Sequence, residues 1–292
     1  DENFQKKKDF NTHTVGYKYA VLIGNNLFYG TRHGLFLQNN ESVTMLSSET
    51  ISSLSQSDDG SLLSAGTPNG KILIIKNSSI IKTIDTKRNE PIFDIEIISE
   101  NLLYVASQGG LRKYENSNET IISEQLTYSI EKDKNNILFG TSTALMRYNP
   151  LTEKNEKILS NNKEIYSIVN DADFITLSSL GEVIVYNKNN QTSYTLNTSN
   201  GSQYEYNSPS AIKINDLILL AGVNGISIVY PEEVTHYIKN QKISKAEIIN
   251  FSVFNIIQVL RTLQITLARV IREHIIRQYE IFIYTCLIPP EF

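Results

Sequence analysis

Ile51-Ser52-Ser53-Leu54, Ser57-Asp58-Asp59-Gly60, Leu62-Leu63-Ser64-Ala65-Gly66-Thr67, Asn69-Gly70 and Ile72-Leu73-Ile74-Ile75 follow one another in a single run. They read as a short strand, a polar turn, a strand ending in small residues, a Gly-centred turn and a third strand. The same order returns at Ile92-Phe93-Asp94-Ile95 with Leu102-Leu103-Tyr104-Val105-Ala106-Ser107, and at Tyr128-Ser129-Ile130 with Ile137-Leu138-Phe139-Gly140-Thr141. It returns at Tyr166-Ser167-Ile168 with Phe174-Ile175-Thr176-Leu177, and at Ala211-Ile212 with Leu217-Ile218-Leu219-Leu220. An earlier copy is Tyr19-Ala20-Val21-Leu22 with Leu27-Phe28-Tyr29-Gly30-Thr31.

The tight turn falls at positions 34, 70, 110, 144, 181 and 225, a mean spacing of about 38 residues. That is slightly under the roughly 40–45 residues of a WD-type propeller blade. Most intervals leave room for a further strand, such as Ser79-Ile80-Ile81-Lys82-Thr83-Ile84. Four antiparallel strands per repeat make one propeller blade. Gly fills five of the six turn positions, as expected where a hairpin needs positive φ. Ala144 breaks the pattern, so an altered or strained turn is expected there.

A sandwich of regularly spaced strands gives similar turn signals, but register separates the two folds. Aligning the first strands puts Tyr19, Ser53, Asp94, Ser129, Ser167 and Ala211 in one column. The next column holds Ala20, Leu54, Ile95, Ile130, Ile168 and Ile212. Small or polar residues beside an apolar column suit inner strands crowded around a wet central channel. The expected fold class is therefore all-β, a propeller of six or seven four-stranded blades over residues 1–245. Residues 1–15 or 231–245 are expected to complete the closing blade.

Composition excludes several function classes. The chain has 292 residues, a formal net charge of -4 and a pI near 5.7, without the basic stripe a nucleic-acid surface needs. Its one cysteine, Cys286, permits neither an internal disulfide framework nor a thiolate metal cluster. No run of about eighteen apolar residues occurs, so no membrane insertion is expected within the chain. The start, Asp1-Glu2-Asn3-Phe4, reads as a mature end or an expression boundary.

The units Gly30-Thr31-Arg32-His33-Gly34-Leu35 and Gly66-Thr67-Pro68-Asn69-Gly70, with the Asp58-Asp59-Gly60 turn, resemble the two-component-regulator propeller repeat. Gly110-Leu111-Arg112-Lys113-Tyr114 and Leu145-Met146-Arg147-Tyr148-Asn149-Pro150 resemble its third strand and exit. Gly225-Ile226-Ser227-Ile228-Val229-Tyr230-Pro231-Glu232-Glu233 is similar to that family's final propeller strand. Ala246-Glu247-Ile248-Ile249-Asn250-Phe251-Ser252-Val253-Phe254-Asn255 is similar to the opening strand of the triple-tyrosine domain that follows it. The family's repeat usually carries a Trp in its second strand, and this chain has no Trp. The triple-tyrosine resemblance also stops where a sandwich should continue.

The resemblance implies the extracytoplasmic sensor of a membrane-spanning histidine kinase or hybrid regulator, working as a homodimer and often linked to glycan use in Bacteroidota. It implies a periplasmic or extracytoplasmic location. The rival classes are a cytoplasmic scaffold propeller of the WD or citron-homology kind and a propeller enzyme acting on a polysaccharide.

Residues 246–292 run from the triple-tyrosine-like segment into a different kind of sequence. Ile256, Leu260, Leu263, Leu267, Ile271 and Ile275 recur at helical spacing, and four of the chain's eight Arg fall at 261, 269, 272 and 277. The short C-terminal segment reads as an amphipathic helix meeting a partner or membrane surface, as a helix packed on the propeller side, or as a non-native end.

Sequence signatures of catalysis are missing, and no cofactor, catalytic residue or metal ligand is assigned. Gly66-Thr67-Pro68-Asn69-Gly70-Lys71-Ile72 is one residue short of a phosphate loop and lacks its hydroxyl. The four His residues are scattered, at 13, 33, 236 and 274. Asp58-Asp59 lacks the alternating ligands of a calcium loop and reads as a solvated turn. An enzyme would need ionisable groups converging on the channel, and the inner column supplies only Asp94 and Tyr19.

Blade geometry limits where a ligand sits. The second-to-third turns and the loops entering the next blade share one face, which gathers Arg32, His33, Asn69, Gln108, Ser142, Ser179 and Asn224 around the channel mouth. Arg32 and His33 carry the charge for an anionic or polyhydroxylated ligand. The expected partner is an oligosaccharide or another small polar ligand.

Overall fold

The computed structural model describes residues 19–39 and 42–240. Alternating apolar runs and tight turns fold as six antiparallel sheets in chain order, a six-bladed propeller. Blade 1 is β1 (Tyr19–Ile23), β2 (Asn26–Thr31), β3 (Gly34–Gln38) and β4 (Val43–Ser47). Blade 2 is β5 (Ser53–Gln56), β6 (Leu62–Gly66), β7 (Lys71–Lys76) and β8 (Ser79–Asp85). Blade 3 is β9 (Ile92–Ser99), β10 (Leu102–Ser107), β11 (Gly110–Glu115) and β12 (Asn118–Ser123). Blade 4 is β13 (Ile130–Asp133), β14 (Asn136–Gly140), β15 (Ala144–Asn149) and β16 (Lys154–Ser160). Blade 5 is β17 (Ile165–Asn170), β18 (Phe174–Ser179), β19 (Glu182–Asn187) and β20 (Thr192–Asn197). Blade 6 is β21 (Tyr206–Ile214), β22 (Leu217–Gly222) and β23 (Gly225–Val229), after which α1 (Pro231–Asn240) follows.

Five sheets have the expected four strands, and the sixth has three among the described residues. The segment offered as a closing strand, 231–245, is helical over its described part, with Pro231 at the start and Glu232 and Glu233 in the first turn. Pro fits the first helical turn because its missing N–H is not needed there, and the two carboxylates face the positive end of the dipole. The other closing candidate, residues 1–15, and the segment 246–292 lie outside the described residues.

Strands here are apolar at consecutive positions because both faces of each internal blade are buried. Along β7, Ile72 and Ile74 pack toward blade 3 with Ile95 and Leu103, while Leu73 and Ile75 pack toward blade 1 with Phe28 and Leu35. Along β10, Leu103 and Val105 face blade 2, whereas Tyr104 and Ala106 face blade 4 with Phe139 and Tyr148. The remaining seams join blades 4 and 5 through Leu145, Ile165 and Leu177, and blades 5 and 6 through Val185, Ile218 and Leu220. Period-two alternation thus sorts the middle strands of the internal blades, such as β7 and β10, between two neighbours.

The turn glycines have two distinct reasons. Gly70 lies in the turn itself with φ 82, where a Cβ would also meet the Arg88 carbonyl. Gly110 is the first residue after its turn, with φ 110, and a Cβ there would meet the Ser123 carbonyl of the outer strand. Both conformations strain any L side chain. The exceptional turn at Ala144 needs no positive φ. Thr141 Oγ1 accepts the N–H groups of Thr143 and Ala144, as the Thr31 and Thr67 hydroxyls accept turn N–H groups in the blades that carry Gly.

The small polar column has a structural role beyond crowding. Asp94 Oδ2 of blade 3 accepts the Ile130 N–H of blade 4 at 3.0 Å. Ser129 accepts the Ile168 N–H of blade 5 at 3.2 Å, and Ser167 accepts the Ser210 N–H of blade 6 at 2.9 Å. Blades 3 to 6 are tied each to the next through one side-chain oxygen of the column, whereas Ser53 Oγ of blade 2 makes no hydrogen bond. Register also corrects the sixth member of the column. Ser167 pairs with Ser178, one step from the turn pair, and Ala211 pairs with Leu220. The equivalent residue is therefore Ser210, one place before Ala211. A shift of register between Tyr206 and Ala211 explains why simple spacing missed it.

Ser167→Ala should destabilise the fold by about 1 kcal/mol, because it leaves the half-buried Ser210 N–H without its acceptor. Ser142→Ala, at an exposed turn, should be nearly neutral. Urea unfolding of both variants measures the contrast.

Candidate functional site

One face of the propeller is built from the second-to-third turns and the loops entering each inner strand, held together by hydrogen bonds. Thr50 Oγ1 donates to the Arg32 carbonyl, Gln108 N–H to the Pro91 carbonyl and Gly181 N–H to the Tyr204 carbonyl. Arg112, almost fully buried, lies between Glu90 (3.3 Å) and Glu119 (2.6 Å), and Ser107 accepts from its Nη1. Arg88 also reaches Glu119, at 2.9 Å. These contacts fix the blade 2–3 part of the rim.

The expected rim residues divide into two groups. Arg32, His33, Asn69, Gln108, Ser142 and Asn224 are exposed on the turns of separate blades. Asn69 is partly committed, since its Oδ1 accepts from Thr67. Ser179 is different: it is fully buried, donates to the Glu164 carbonyl at 2.7 Å and accepts from Asn161. It holds a loop and presents no surface to a ligand.

Three aromatic residues add what the rim list lacks. Phe93 and Tyr128 have ring centroids 4.9 Å apart, and Tyr128 and Tyr166 are 5.5 Å apart, edge to face. Successive blades 3, 4 and 5 contribute one each, immediately before Asp94, Ser129 and Ser167. Phe93 and Tyr166 fall at register shifts in their strands, between Ile92 and Asp94 and between Ile165 and Ser167. A bulge of this kind re-aims a side chain that regular alternation would direct elsewhere. All three are half-buried. Burial, and then the Glu164 carboxylate that both hydroxyls face, raises the Tyr128 and Tyr166 phenols above their ordinary range. The result is an aromatic arc with two phenol groups and a carboxylate at its edge.

Farther along the inner strands lies a group of carboxylates. Asp94 is pushed up to about 6 by burial, against the hydrogen bonds from Ile130, Ile95, Ser55 and Ser129 that favour its charged form. Glu96 is pushed up to about 8 by burial and by the charges of Asp94 and Asp58, with Lys132 opposing. Glu131 is also pushed up to about 8, by burial and by Glu96, Asp94 and Asp58. Tyr19 is raised by burial and then by Asp94. The inner strands therefore carry more ionisable groups than the column alone suggested. Glu96 and Glu131 stand two residues beyond Asp94 and Ser129, so period-two alternation was the signal that places them on the same face.

Asp58 pairs with Lys132, and Asp59 accepts from Ser57 and Ser61, which hold its carboxyl down to about 2. Among the described residues no group of three or more His, Cys, Asp or Glu side chains has the arrangement of a metal site. Among them, too, no helix is long and apolar enough to cross a membrane.

No protein-family model matches the chain, and no curated protein matches it. Solved structures do. The chain is similar to the extracellular domain of a protein from B. thetaiotaomicron described as a hybrid two-component system, with a TM-score of 0.60 and 21% identity, over 77% of this chain and 33% of that one. The likeness fixes the fold. The chain spans about a third of that domain's length. The WD40 β-propeller domain of Doa1 is similar over 70% of this chain and 74% of its own, with a TM-score of 0.55 and 12% identity. BamB from Moraxella catarrhalis is similar over 73% of this chain and 72% of its own, with a TM-score of 0.54 and 11% identity.

Proposed function

We propose that this propeller is the ligand-sensing part of an extracytoplasmic two-component signalling protein. It takes an oligosaccharide at the channel mouth and has no catalytic role. The observation that carries this reading is the arc of Phe93, Tyr128 and Tyr166 with Glu164 at its edge. A sugar ring has an apolar C–H face and a rim of hydroxyl donors. Aromatic faces match the first and a carboxylate matches the second. The rim residues Arg32, His33, Asn69, Gln108, Ser142 and Asn224 extend the polar surface around the mouth. The likeness to an extracellular two-component domain supports the sensing role.

Each blade packs on its neighbours, so binding is relayed by how two copies sit together rather than by bending one of them. A coupling of about 1–3 kcal/mol shifts such an equilibrium roughly 5–150-fold. The expected assembly is a homodimer.

A second reading has its own observation. Carboxylates titrating near neutrality, as Glu96 and Glu131 do, are also what proton-transfer chemistry on a polysaccharide uses. Glycan turnover lost in Glu96→Gln or Glu131→Gln would establish that enzyme and remove the sensor.

A thermal-shift screen against oligosaccharides tests the sensing reading. A ligand at about 100 times its Kd adds roughly 2.7 kcal/mol to native stability. The shift should vanish in a Tyr128→Ala, Tyr166→Ala double variant. A shift that survives there and is lost in Arg32→Ala, His33→Ala would move the site to the turn of blade 1.

A further inference from the structure

The loops that enter the inner strands of blades 2 to 6 each carry a glutamate on the rim. These are Glu49, Glu90, Glu124, Glu164 and Glu205, ahead of β5, β9, β13, β17 and β21. They lie 41, 34, 40 and 41 residues apart, so they belong to the repeat itself.

Their surroundings divide them into two kinds. Glu49 is paired with Lys71 at 2.5 Å, and Glu90 with Arg112 at 3.3 Å. Among the described residues no Lys, Arg or His pairs with Glu124, Glu164 or Glu205. Lys163, next to Glu164 in the chain, turns instead to Glu182 at 3.0 Å and to the Leu180 carbonyl at 2.8 Å.

The glutamates left without a cation enter blades 4, 5 and 6, where the aromatic arc lies. Glu164 faces the Tyr128 and Tyr166 hydroxyls, and the charge of Glu205 also reaches Tyr166. Glu124 is exposed on the loop that leads to Tyr128. Farther along the inner strands Asp94, Glu96 and Glu131 add carboxylates, and Lys132, the cation beside them, is paired with Asp58. Arg32 and His33 stand on the β2–β3 turn of blade 1, not among the blades that carry the arc.

The sign of this surface selects its ligand. An aromatic face attracts an ammonium group, more strongly where water is partly excluded. Carboxylates that no protein cation neutralises act in the same direction and repel a ligand carboxylate or sulfate. A neutral hydroxyl gains less, because it brings no net charge.

We propose that the arc selects an amine-bearing oligosaccharide, with its protonated amino group held between the Tyr128 and Tyr166 rings and the Glu164 and Glu205 carboxylates. This rests on the reading of the arc as a sugar site and adds the charge which that site prefers. It sets aside the anionic ligand for which Arg32 and His33 carry the charge.

Isothermal titration calorimetry on the full chain tests it with three sugars of equal length. They are a glucosamine oligomer, its N-acetylated form and a galacturonic acid oligomer. A mildly acidic buffer keeps the amine protonated and the exposed carboxylates ionised. The glucosamine oligomer should bind at least ~10-fold tighter than its N-acetylated form, and added salt should shrink that advantage. A Glu164→Gln, Glu205→Gln variant should bring the ratio close to one. Glu49→Gln, at a carboxylate that Lys71 already neutralises, should keep it. Equal affinity for the amine and its N-acetylated form would overturn the inference and leave the sugar site standing. Tightest binding of the galacturonic acid oligomer, or an amine preference unchanged in the double variant, would overturn it too. Binding of none of the three would also overturn it, and would remove the sugar reading as well only if the thermal-shift screen is empty.

Discussion

The protein should lose stability steadily as pH rises from about 5 to about 9. Glu96 and Glu131 are held near 8 in the folded chain, and Asp94 near 6, each above its ordinary carboxylate value. Between the unfolded and folded values the native state binds protons that the unfolded chain has released. Stability then falls with rising pH, because the slope follows the difference in bound protons. The contribution is fully present below the unfolded values and is lost as pH passes through the folded ones. Asp59 runs the other way, since its carboxyl is lowered, but its window lies below about pH 4. For a domain of this size each kilocalorie per mole moves Tm by about 2–4 °C. The expected fall is at least ~5 °C by calorimetry across this range. A Glu96→Gln, Glu131→Gln variant should flatten the profile. A wild-type profile that is flat or rises with pH would mean that these carboxylates are not buried together.

Phe139→Ala should be among the most damaging single changes. Phe139 is 1% exposed and fills the seam between blades 3 and 4 with Tyr104, Leu111, Ile137 and Tyr148. Truncating a buried Phe costs about 3–5 kcal/mol, through lost burial and the cavity left behind. On the same scale Tm should drop by roughly 10 °C. Leu151, 86% exposed on a turn, is the control, and Leu151→Ala should stay within about 0.5 kcal/mol of the parent. Equal effects at the two positions would contradict the seam.

The features legible in the sequence were the local ones. Gly70 and Gly110 carry backbone conformations that only Gly adopts easily, so they mark the repeat without help from the rest of the chain. The apolar runs of β7 and β10 reveal strands buried on both faces for the same reason. Features that depend on an added or shifted residue were harder to read. The irregularity before Ala211 displaced the column by one place and hid Ser210. Bulges at Phe93 and Tyr166 turn aromatic side chains out of simple alternation, so the arc could not be placed from spacing alone. Ser179 looked like a rim hydroxyl because its turn lies on the rim, yet the loop carrying Glu164 covers it. By contrast, Glu96 and the helical start at Pro231-Glu232-Glu233 carried readable signals. The first was lost by following one residue per strand, and the second by following the family's strand pattern.

The central claim is that the aromatic arc receives a sugar. Backbone amide chemical-shift mapping, with the best oligosaccharide from the thermal screen, locates the bound ligand most directly. The account predicts shifts concentrated at Phe93, Tyr128, Glu164 and Tyr166, with smaller ones at Gln108 and Ser142. Shifts confined to the outer strands, or to residues beyond 240, would contradict it.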